Sequence, residues 1–171
     1  MEEKMHDIKW GIVLAVLTIL FGFVLGAAMG GMEPQIKDYW QSLAQPGLST
    51  IYHNDPKNIT AIVDRSWKML QRAHMHAAAI GTATLILMFV LTNFKAKAIY
   101  KQVGAIFLGL GGLGYSLSWF LVAFRAPVVG DIHVVKAGIH LLAAPSIGML
   151  LLGAGFVLIL GLKMAFSKNS L

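Results

Sequence analysis

The sequence contains no cysteine. That excludes disulfides, iron–sulfur clusters, thiolate zinc sites and attachment of c-type haem through C-x-x-C-H. Any cofactor must therefore be held by histidine, methionine, carboxylate or backbone. Charge is scarce as well: 13% of residues are Asp, Glu, Lys or Arg, against ~25% in soluble domains. Acid is the scarcer sign, with 8 residues against 14 basic ones, and no acid falls inside a long apolar run. Proline breaks such a run once, at Pro145. Buried acids and paired helix breaks mark transporters, so that class is disfavoured.

Hydrophobic residues dominate what is present, at 57% of the chain with a mean hydropathy of +0.69. This composition predicts one integral membrane domain over residues 1–171, with the lipid bilayer as its first partner. The net charge of +6 is spread over the ends of the apolar runs. It marks membrane interfaces and does not call for nucleic acid.

Four spans are expected, at about 10–32, 73–94, 102–124 and 134–166, with an external segment at 33–72. The first holds 23 uncharged residues, enough to cross ~30 Å of hydrocarbon and longer than the ~7–15 residues of a signal-peptide core. Gly22, Gly26 and Gly30 recur every four residues along it, clearing a face for close helix contact. Glu33-Pro34 opens a short amphipathic helix to about Ala44, and Pro46-Gly47 ends it. Asp55 caps the next helix, whose pattern runs unbroken from Pro56 to Phe94. Ile59, Ile62, Val63, Trp67 and Leu70 share one face of it. At 1.5 Å per residue it would be ~57 Å long, so its first turns should project beyond the bilayer and pack against the 34–44 helix. Arg125-Ala126-Pro127 closes the third span, and Pro145 should kink the fourth. The fold class is thus all-α: a four-helix transmembrane bundle with a short external helix and a projecting second span.

The 95–101 turn carries Lys95, Lys97 and Lys101 and no acid. The positive-inside rule places it, with both termini, in the cytoplasm, as expected for a prokaryotic inner membrane.

The segment Arg72-Ala73-His74-Met75-His76 lies where the amphipathic half of that long helix enters its apolar half. Ionisable groups at such a border are costly and point to function. Counted from the cytoplasmic ends, His76 sits at ~26 Å, His74 at ~29 Å and His140 at ~35 Å before kink and tilt. Ser118 and Trp119 fall at the His76 level. His133 lies two turns beyond His140, and His53 is in the external loop. His74 and His76 are about 200° apart around the helix, so they cannot face the same neighbour. Ala77, Ala78 and Gly81 beside them leave room for a flat ligand or another helix. Met69, Met75 and Met149 read as gap-fillers. Gly109, Gly111, Gly112 and Gly114 follow no strand, so they are not a phosphate loop.

The arrangement resembles four-helix membrane b-type cytochromes, with the Arg72–His76 segment as the local feature. The resemblance implies haem b near the non-cytoplasmic face, with His76 or His74 on one side of the iron and His140 on the other. Arg72 and Arg125 would pair with haem propionates, although plain interface anchoring accounts for them equally. It also implies electron exchange with a quinol pool or an external redox protein, with Tyr115, Ser116, Ser118 and Trp119 as candidate quinone-lining residues. The family's usual deeper histidine pair is missing here. Two further readings stand beside it. One is a cofactor-free accessory subunit of a homo-oligomer or larger membrane complex. The other is a copper or zinc protein using His74, His76, His133 and His140 with Met75 or Asp131.

Overall fold

The computed structural model describes residues 5–166. Lys4 and Lys168, which flank the first and last spans, lie outside the described residues. Five α-helices follow one another with no strand among the described residues: α1 (Lys9–Gly31), α2 (Glu33–Ala44), α3 (Pro56–Thr92), α4 (Ala98–Val129) and α5 (Ile132–Phe166). All but α2 are long and apolar enough to cross a membrane.

Local chemistry sets the ends. Pro34 sits in the first turn of α2, where its missing N–H costs nothing. Glu33 and Lys37 form a 2.6 Å ion pair one turn apart on that helix. The Asp55 carboxylate accepts the Lys57 N–H at 2.9 Å and caps α3 as the sequence predicts. At the far end of α3 the buried Lys101 donates from Nζ to the Thr92 carbonyl at 3.2 Å. A cation thereby meets the negative end of the helix.

One expectation is corrected. Pro127 does not close α4: the helix runs through it to Val129. A proline in a last turn forfeits one backbone bond and leaves the rest of the ladder intact. Gly130 is what stops the helix, in the left-handed region at φ 79°, donating its N–H to the Ala126 carbonyl at 2.8 Å. The Pro127 carbonyl, an orphan at this helix end, accepts the Tyr52 hydroxyl from the loop before α3. Pro145 lies inside α5, within the fourth span as expected.

α1, α3 and α4 pack on one another, whereas α5 lies mainly along α4 and touches α3 little. Glycines make the close approaches. A Cβ on Gly22 would lie 2.9 Å from the Ala78 backbone nitrogen, and one on Gly111 would lie 2.7 Å from the Ser146 carbonyl oxygen of α5. The small residues beside the histidines thus serve helix contact. Two core clusters result. One gathers Trp40, Ala44, Ile59, Ile62, Val63 and Leu70 with Val122 and Ala126, and fastens α2 to α3 and α4. The Trp40 ring meets Trp67 and Phe124 edge-on. The second holds Met88, Leu91, Ala105 and Leu108 at the opposite end.

Candidate functional site

His74 and His76 leave α3 in different directions, as their spacing requires. His74 faces α1. Its Nδ1 lies 2.8 Å from the Gly22 carbonyl oxygen, and a Cβ on Gly26 would come within 2.7 Å of its Cε1. A carbonyl can only accept, so Nδ1 carries a proton and donates it to Gly22.

His76 faces α4. Its ring stacks on Tyr115 at 5.3 Å between centroids and meets Trp119 nearly edge-on at 5.7 Å. Tyr115 and Trp119 are one helical turn apart and pack edge to face. The contact puts Trp119 at the level of His76, as the rise along the two helices predicted. His76 makes no hydrogen bond within the described residues. The Trp119 Nε1–H is buried and unpartnered as well, and a buried donor without a partner costs about 1–3 kcal/mol. Two cations approach the same indole: Arg72 from α3 and Lys136 from α5, each 5.2 Å from its ring centroid. Arg72 also contacts the Met69 sulfur at 4.0 Å.

The other candidates stand apart. His140 is exposed on α5 and takes part in none of these contacts; His133, Arg125 and His53 are exposed too. Ser116 and Ser118 return their hydroxyls to their own helix, bonding the Gly112 and Tyr115 carbonyls at 2.8 and 2.6 Å. Asp131 is occupied at the start of α5, where it accepts the His133 N–H at 2.6 Å. Among the described residues no three His, Asp or Glu side chains gather closely enough to hold a metal ion. The copper or zinc set of His74, His76, His133 and His140 is therefore not assembled in this chain. The reason is angular: the α3 imidazoles diverge, and the α5 imidazoles face outward.

The same geometry bears on haem b. His74 suits iron, because ligating imidazoles usually donate their other N–H to a carbonyl or carboxylate. His140 does not come to its opposite side, and close helix contact at Gly22 and Gly81 occupies the α1–α3 groove. The residues therefore do not fit a haem clamped between α3 and α5 within one chain.

Lys136 was not among the sequence candidates. It lies one turn before His140, and its approach to Trp119 depends on how α5 packs along α4. Compared with protein-family models, curated proteins and solved structures, the chain finds no match in any of the three.

Proposed function

We propose that the chain is a membrane subunit of an electron-transfer system that binds a quinol or quinone head group beside His76. In this reading α2 and the Pro56–Ala73 half of α3 stand outside a prokaryotic inner membrane on its non-cytoplasmic face. Both termini and the Lys95–Lys101 turn are cytoplasmic, in keeping with the lysines of that turn. The chain works within a homo-oligomer or larger complex that supplies the redox partner.

One observation carries the reading: an imidazole with no hydrogen bond, stacked on a tyrosine and adjoining an unpaired indole N–H. A quinone head group is a flat ring with oxygens at opposite ends. Aromatic faces hold such a ring, a neutral imidazole accepts a hydroquinone proton, and an indole N–H donates to a quinone oxygen. Oxidation of a bound hydroquinone would give its two electrons, one at a time, to a metal-centre acceptor in the partner, with one proton taken by His76 and the other released to the aqueous face.

Thermal unfolding of the purified chain with a short-chain ubiquinone analogue tests this. Tm should rise with ligand concentration. The rise should vanish in His76→Ala, shrink in Tyr115→Leu and persist in His140→Ala. No rise in the wild type, or an equal rise in His76→Ala, overturns it.

The bond from His74 Nδ1 to the Gly22 carbonyl favours a second reading, in which His74 Nε2 ligates a b-type haem shared with another subunit of the complex. A reduced-minus-oxidised spectrum would then show a haem signal that His74→Ala abolishes and His140→Ala keeps. Absence of a Soret band in protein made with ample haem removes it.

A further inference from the structure

Trp119 is approached by two positive charges from two different helices, and no negative charge accompanies them. Arg72 and Lys136 each lie 5.2 Å from the one indole centroid, so the charges are no further apart than twice that distance. The single ion pair among the described residues is Glu33–Lys37, on α2. Asp131, the acid nearest in sequence to Lys136, is engaged by backbone N–H groups at the start of α5. Like charges brought together repel. The indole face offsets part of that but does not neutralise it. Two cations over one indole, with no acid among the described residues paired to either, make a receptor for an oxyanion.

We propose that Arg72 and Lys136 bind the phosphate of an anionic phospholipid head group beside Trp119. Both cations stand near the ends of apolar helices: Lys136 is five residues into α5, and Arg72 adjoins the apolar half of α3. Charged side chains at such ends meet the head-group layer. A lipid phosphate therefore reaches this position with its acyl chains directed along α4 and α5, where Leu121, Leu141 and Leu142 are exposed. The guanidinium is suited to phosphate through paired N–H donors. The inference is independent of the quinol reading, because it uses the two cations and neither His76 nor the indole N–H.

The test is native mass spectrometry of the full chain released from phosphatidylcholine nanodiscs containing a minority of phosphatidylglycerol. One phosphatidylglycerol per chain should survive release. Arg72→Gln and Lys136→Gln should each weaken its retention about tenfold or more, the loss expected for a charge-assisted contact. Arg72→Lys keeps the charge but loses the paired donors, and should restore only part of it. Arg65→Gln with Lys68→Gln removes two exposed α3 cations away from Trp119 and should change little. Equal loss in that control, or full retention in Arg72→Gln and Lys136→Gln, overturns the proposal in favour of diffuse attraction to anionic lipid. Inorganic phosphate gives a second arm. Displacement of the retained lipid by millimolar phosphate supports a phosphate-specific site. Phosphatidylglycerol not retained even without added phosphate, while phosphate alone binds, shows a soluble ligand and overturns the lipid assignment. The quinol reading fails separately, through His76→Ala in the thermal assay.

Discussion

The His74 imidazole of α3 donates from Nδ1 to the Gly22 carbonyl of α1 at 2.8 Å, resting on the surface bared by Gly26. One hydrogen bond thus links the two helices and keeps a proton on Nδ1 of the ring.

Deleting that ring should have a small effect on folding. The Gly22 carbonyl lies inside α1 and also has its own helical partner, so His74→Ala orphans no group. Hydrogen bonds between membrane helices average ~0.6 kcal/mol, and we expect His74→Ala to lower stability by about that amount in a reversible SDS titration. A loss of several kcal/mol would mean the ring does more than bridge α1 and α3.

Glycine substitutions should divide according to what a Cβ would meet. Gly22→Ala places a methyl 2.9 Å from the Ala78 nitrogen, and Gly111→Ala places one 2.5 Å from the Leu150 nitrogen. Backbone cannot move aside cheaply, so each should cost about 1–3 kcal/mol. Gly30 and Gly155 have nothing within 4 Å, and alanine there should be neutral or slightly stabilising, by up to about 1 kcal/mol. The same SDS titration ranks the four variants.

Gly130 carries a different constraint. Its φ of 79° disfavours any side chain, and an added Cβ would also strike the Ile51 Cγ2. Gly130→Ala should cost more than ~1 kcal/mol and loosen the α4–α5 turn. Hydrogen exchange at residues 128–134 should report that loosening.

Tyr52 should confer a dependence on alkaline pH. Its hydroxyl donates to the Pro127 carbonyl at the end of α4, and burial pushes the phenol above its usual range. A phenol in the unfolded chain ionises near ~10. The contribution of Tyr52 is therefore intact below that pH and declines as pH rises towards the folded-state value. Tyr52→Phe should be less stable at neutral pH by about 1–3 kcal/mol, because a buried carbonyl loses its partner. Above pH ~10 it should lack the wild type's further decline. Circular dichroism during paired alkaline titrations checks both expectations.

Much of the architecture was legible in the chain. Apolar runs of spanning length, the Asp55 cap and the unbroken periodicity from Pro56 onward sufficed to place the helices within a few residues. Pro127 misled, because a proline near a helix end resembles a stop, whereas the positive-φ Gly130 was the actual one. At the candidate site, helical spacing foretold that His74 and His76 diverge, and counted rise put Trp119 level with His76. His140 fell near that level by the same count, yet height along a helix says nothing about which way a side chain points.

Periodicity and hydropathy are properties of a single helix, so the amino-acid order alone determined where helices begin, how long they run and which residues share a face. Rotation of one helix against another depends on side chains far apart in the chain meeting across a gap, such as Gly111 beneath Ser146 and Leu150. Packing of that kind decided that α5 lies along α4, that Lys136 reaches Trp119, and that His140 faces outward.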